Sequence, residues 1–107
     1  MELIFGLDNE RNDLTALEVR DALITCFYEA HEKDASESMG GTQLDKSYFS
    51  QLVHKSFTQT GGDFENPTKK SLIDAISALA EFAANFRDKT IVEKHYSQMM
   101  KLINNLN

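Results

Sequence analysis

Apolar side chains recur along this chain at steps of three and four residues in four separate stretches, the spacing that lines one face of an α-helix. The last stretch has the sharpest pattern. At about 100° per residue, Ile91, Leu102, His95, Leu106, Met99, Val92, Ile103, Tyr96 and Met100 follow one another around one half of a helix. Glu93, Ser97, Lys101, Asn104, Lys94, Asn105 and Gln98 hold the other half, and no charge interrupts the apolar side. In the third stretch the apolar arc widens to roughly 240°, running through Ala78, Phe82, Leu79, Leu72, Ile76, Ile73 and Ala84. The first stretch carries two stripes, Ala22, Cys26, Val19, Ala30, Leu23 and Phe27 in one and Ile24, Leu17 and Tyr28 in the other, with Arg20 and His31 between them. The second sets Leu44, Tyr48, Leu52, Phe49, Val53 and Phe57 inward and leaves His54 with Ser47, Ser50 and Thr58 on the polar side.

Start and stop signals bound these stretches. Thr15 followed by Glu18 is a capping box, with Leu14 and Val19 placed as a hydrophobic staple around it. Thr42 with Asp45 gives a weaker second start, and Gly61 and Gly62 stop that helix. Asn66 before Pro67 gives the third start, with proline at the first helical position, and Thr90 with Glu93 the fourth. The spacing predicts helices over about 15–33, 43–58, 67–87 and 90–106, and the short link between the last two makes them antiparallel neighbours. Leu3, Phe5 and Leu7 alternate like a strand, but one strand without a partner is unstable. An extended arm laid over an apolar groove, of this subunit or of another, is therefore expected. The fold class is all-α, a four-helix up-down bundle with a short extended N-terminal arm, in one domain spanning 1–107.

Composition narrows the function. The net charge of −6, from 17 acidic and 11 basic residues, opposes general binding to phosphate backbones. The scattered lysines and arginines alternate with no row of aromatics, so nucleic acid is not an expected partner. No apolar run approaches the roughly 20 residues of a membrane span, and "LIFGL" at 3–7 is too short for a secretory signal core, so no membrane association and a cytoplasmic location are expected. A lone Cys26 agrees with a reducing compartment, and its apolar helical neighbours mark it as a small buried hydrophobe.

Catalytic and metal signatures are missing. Helical bundles hold metals with Glu-x-x-His pairs, but Glu29 and His31, like Glu93 and His95, stand two residues apart, which places them about 200° apart around a helix. No metal or other cofactor is expected. At His54, "LVHKSFTQTGG" lacks the lysine that helical phosphotransfer domains carry three residues after their histidine, since Phe57 stands there. No phosphate-binding glycine loop or nucleophile elbow occurs, and no catalytic residue is assigned.

Three polar groups interrupt apolar arcs, and these are the candidate ligand-binding residues: Arg20, His31 and His95. A buried guanidinium needs a partner, so Arg20 is expected to meet a carboxylate from another helix or subunit, or an anionic ligand. His95 reads as a neutral ring hydrogen-bonded in the core or interface, with a pH-sensitive interface as its functional alternative. All four apolar arcs exceed the inward stripe that a lone bundle requires. Two functions follow. One is a non-enzymatic, self-associating interaction module, most simply a twofold homodimer, that offers an apolar groove to a protein partner. The other is a small-molecule binder or enzyme with a pocket near Arg20, His31, Phe27, Tyr28, Phe82 and Phe86.

Overall fold

A computed structural model describes residues 3–36, 46–82 and 89–106, including their side chains apart from those of 34–36, 81 and 82. The periodic stretches form four helices, α1 (Ala16–Ser36), α2 (Lys46–Gln59), α3 (Lys69–Phe82) and α4 (Lys89–Asn104), after two strands, β1 (Leu3–Ile4) and β2 (Leu7–Asp8). The expected cap at Thr42 and Asp45 and the expected end of the third helix near Arg87 lie outside the described residues.

The α1 start follows its capping box. The Glu18 N–H donates to Thr15 Oγ1 and the Thr15 N–H to Glu18 Oε1, both at 3.2 Å, so each residue satisfies a backbone donor of the other. The helix continues to Ser36, past the expected end at 33. At the end of α2, Gly61 takes φ +81°, the Gly62 N–H reaches the Phe57 carbonyl at 2.8 Å and the Gly61 N–H reaches the Thr58 carbonyl at 3.3 Å. These are the two bonds of a Schellman ending, which closes the orphan carbonyls of the last turn. The next start differs from expectation: α3 begins at Lys69 rather than at Pro67. Thr68 is the cap, accepting from the Ser71 N–H at 3.1 Å while its own N–H donates to Ser71 Oγ at 2.7 Å. Asn66 donates instead to the Asp63 carboxylate and shapes the turn ahead of the helix. The α4 helix begins one residue before Thr90 and ends at Asn104, two residues short of the expected boundary.

The arm is a hairpin and not a lone strand. Ile4 pairs with Leu7 and Leu3 with Asp8, around a turn in which Phe5 has φ +50° and Gly6 φ +85°. Two successive positive φ values belong to a type I′ turn, the connection whose twist matches paired strands. The hairpin lies on this chain's own surface, β1 against α4 and β2 against α1, with Ile4 buried. Arg11 ties its exit to the first turn of α1 through both Glu18 oxygens and Asp13.

Side-chain neighbours fix the helix directions. Tyr28 and His31, late in α1, meet Phe49, early in α2, whereas Arg20, early in α1, meets Phe64 beyond the end of α2. Ala30 packs with Ile91 and Cys26 reaches the His95 carbonyl, which sets α4 antiparallel to α1. Lys69 Nζ reaches the Leu106 carbonyl, joining the start of α3 to the end of α4. The result is an up-down bundle in which α1 neighbours α2 and α4 and lies diagonal to α3. One core runs through it, with Val19, Leu23, Val53, Phe57, Leu72, Ile76, Leu102 and Ile103 all but sealed from solvent. Each such side chain contributes about 1.5–3 kcal/mol by leaving water.

Candidate functional site

The three candidate residues occupy three different seams. Arg20, its side chain 14% exposed, donates from Nη1 to the Phe64 carbonyl at 2.7 Å and from Nη2 to Asp21 Oδ1 at 2.9 Å. Its guanidinium also lies over the Phe64 ring, 4.3 Å from the centroid. The expected carboxylate from another helix is thus supplied by the adjacent residue on the same helix, and the rest of the guanidinium is satisfied by a loop carbonyl and a π-face. His31 is half-buried between α1 and α2, its ring tilted against Phe49 at 5.2 Å. His95 is half-buried on α4 beneath the hairpin, stacked on Phe5 with centroids 5.7 Å apart. Its Nδ1 lies 2.8 Å from the Ile91 carbonyl, and because a carbonyl only accepts, that contact requires the proton on Nδ1. His54 is exposed, as its place on the polar side of its helix implies, and tilts against Phe64 at 4.7 Å.

An apolar cleft does exist, between α1, α3 and α4, lined by Leu23, Cys26, Phe27, Ile76, His95 and Tyr96 among others. Neither Arg20 nor His31 lines it. Of the other aromatics expected there, Phe86 and the Phe82 side chain lie outside the described residues. Its volume of about 20 Å³ holds one water, where small-molecule sites have roughly 300 Å³ or more. Burial, with Glu29 adding to it, pushes the Cys26 thiol well above its ordinary range, so the sulfur there is a protonated, inert group. Among the described residues no three His, Cys, Asp or Glu side chains gather as metal ligands do.

The surface feature that the geometry does isolate is one flank of α4 with the adjoining edge of α3. The centre of the α4 apolar half, Met99, Leu102 and Ile103, is sealed against the core. On one side the hairpin covers it through Phe5, and Asn105 Nδ2 donates to Asn9 Oδ1 at 2.7 Å and to the Asn9 carbonyl. On the other side Val92, Tyr96 and Met100, four residues apart and so aligned along one edge, remain half-buried. The neighbouring edge of α3 exposes Ile73, Ser77 and Ala80, and Ala80 shares the cleft with Val92 and Tyr96. Charges of both signs border this edge among the described side chains: Lys70, paired with Asp74, on α3, and Lys89 and Glu93 on α4, whereas Lys94 and Lys101 fall with Asn105 toward the hairpin flank. The sequence pattern put Ile73 and Tyr96 within apolar arcs but gave no sign of which flank of α4 the arm would cover.

Fold and surface together define a four-helix bundle with a docked N-terminal hairpin and an apolar edge rimmed by charge. No protein-family model, curated protein or solved structure matches the chain.

Proposed function

We propose that this chain is a non-enzymatic interaction module that works in the cytoplasm and associates with itself through the α3–α4 edge. The observation that carries this reading is the half-covered apolar strip of Ile73, Ala80, Tyr96 and Met100, bordered by charges of both signs. An apolar strip rimmed by charge is the anatomy of a protein contact, in which the apolar centre supplies affinity and the rim sets orientation. A pocket for a small molecule near Arg20 and His31 has less support, since both groups are engaged by neighbours on the chain and the apolar cleft between α1, α3 and α4 is sized for a water. Among the described residues no helix is long and apolar enough to cross a membrane, and the buried Cys26 thiol agrees with a reducing compartment. A heterologous protein that carries a matching surface is a further partner for the same edge.

Sedimentation velocity tests the reading. The wild-type protein should show a weight-average mass that rises from about 1 to 100 μM, the range in which interfaces of modest size operate. Ile73→Glu, an exposed change that leaves the core intact, should hold the chain as a monomer. A wild type that stays monomeric throughout contradicts the proposal.

A further inference from the structure

The turn of the hairpin is made from an unusual residue. A type I′ connection needs left-handed backbone at both central positions, which Asn and Gly adopt readily and a bulky side chain does not. Phe5 nevertheless stands at the first of them with φ +50°. What that conformation delivers is the ring, which stacks on His95 of α4 with 5.7 Å between centroids and 23° between planes. His95 needs nothing from the arm to keep its place, because its Nδ1 donates to the Ile91 carbonyl one turn earlier on the same helix at 2.8 Å. The platform belongs to the bundle and the strain belongs to the arm.

Little else fastens the hairpin. Across Leu3–Asp8 only Ile4 is buried; Leu3 is 60% exposed, and Phe5, Leu7 and Asp8 are half-buried. Beyond the turn the ties are solvent-accessible ones, Asn105 to Asn9 and Arg11 to Asp13 and Glu18, and such pairs are worth little against water. The α1 helix closes its own first turn through Thr15 and Glu18, with no hairpin residue in the capping box. Lifting residues 3–12 therefore gives up chiefly the burial of Ile4 and one ring stack, and it relaxes Phe5. The caps and the sealed core of Val19, Val53, Leu72 and Leu102 stay as they are.

From this balance we infer that the hairpin is a strap that lifts from the α1–α4 side as a unit while the bundle stays folded, with the Phe5 ring on His95 as its latch. Lifted, it uncovers the flank of α4 that it otherwise closes, and the molecule then offers a second apolar face on the side of α4 away from the α3 edge. The arm thus sets how much apolar surface the bundle presents. This opening does not rest on the self-association proposed above, since a monomer undergoes it equally.

Trypsin reads the opening, because Arg11 lies just beyond the hairpin and Arg20 lies inside α1. When opening and closing are fast compared with cleavage, each cut reports the population of the opened form. In the full-length protein the bond after Arg11 should be cut at least tenfold faster than the bond after Arg20, and urea below the unfolding transition should speed the second cut far more than the first. Phe5→Ala should accelerate the Arg11 cut at least threefold and leave the Arg20 cut within twofold of wild type. His95→Gln removes the platform from the other side and should accelerate the same cut, and Phe5→Ala/His95→Gln should be no faster than the quicker single variant, since both changes remove one contact. Cuts at Arg11 and Arg20 that share one rate and one urea dependence would mean that the arm leaves only when the bundle unfolds, and the strap would be wrong. An Arg11 rate unchanged by Phe5→Ala, or single effects that multiply in full in the double variant, would overturn the latch.

Discussion

The two flanks of α4 begin with similar side chains and end in different surroundings. On one, His95 lies under Phe5 and Asn105 is bonded to Asn9, so the chain's own hairpin completes the packing. On the other, Val92, Tyr96 and Met100 face an α3 edge whose Ile73 and Ala80 are exposed. An apolar arc read from sequence measures how much surface a helix has to cover, whereas the covering element is set by what the rest of the chain brings within reach. Here twelve or so residues of arm reach one flank only. The sequence pattern alone therefore left the arm and a second copy as rival covers, and the structure assigns the hairpin to the α1–α4 side.

Substitutions at the sealed centre and on the open flank should separate most widely. Leu102→Ala leaves a cavity where no solvent enters, and its cost should be about 2–5 kcal/mol in urea unfolding. Met100→Ala, half-buried on the open flank, should cost the dilute chain under about 1 kcal/mol. Comparable losses at the two positions would erase the distinction between centre and edge.

The covered flank depends on the hairpin, and two changes probe it. Ile4→Ala empties a position only 2% exposed and should cost about 2 kcal/mol, the low end for buried isoleucine because a two-strand hairpin adjusts more readily than a helix pair. Gly6→Ala meets nothing within 4 Å, so its cost is conformational: a side chain at φ +85° should lose about 1 kcal/mol. If Ile4→Ala proves neutral, the arm does not hold that flank.

The smallest effect is in pH. Arg11 holds the Glu18 and Asp13 carboxyls below their ordinary values, chiefly through its side-chain hydrogen bonds. A carboxyl whose value is lower in the folded state adds stability that is complete above its unfolded value, here 4.5 and 3.8, and that fades as pH falls through the lower folded one. Thermal stability should therefore decline between about pH 5 and 3, and Arg11→Ala should flatten that decline slightly, since both pairs are solvent-screened. An unchanged slope would mean that the clasp between arm and α1 is not formed in solution.

What the sequence made legible was mostly periodic or local. The α1 capping box and the glycine ending of α2 follow from spacings of a few residues, and the core positions Val19, Val53, Leu72 and Leu102 from helical period. The α3 start was misplaced because Asn66-Pro67 is a strong signal by composition, while the Thr68 and Ser71 pair that forms the cap uses a serine in the place where glutamate or glutamine usually signals it. The hairpin was missed because its turn, Phe5-Gly6, lacks the Asn-Gly or Asp-Gly that announces a type I′ connection. Tyr48 was expected inward and is exposed, since it lies in the first turn of α2 as described, near the end of the bundle. Arg20 shows the limit for sites: its place between apolar stripes was readable, but its partners include a carbonyl and a ring from an irregular loop that no periodicity locates.

Adjacent methionines offer the most direct test of whether the open flank is covered by association. Met99 is sealed in the core and Met100 lies half-buried on the α3 side, so one peptide reports both surroundings under peroxide oxidation followed by mass spectrometry. Oxidation of Met100 should slow at least severalfold between dilute and concentrated wild-type protein, with Met99 slow throughout and Ile73→Glu showing no protection of Met100 at either concentration. A Met100 that oxidises at the same rate in dilute and concentrated wild type would contradict the account.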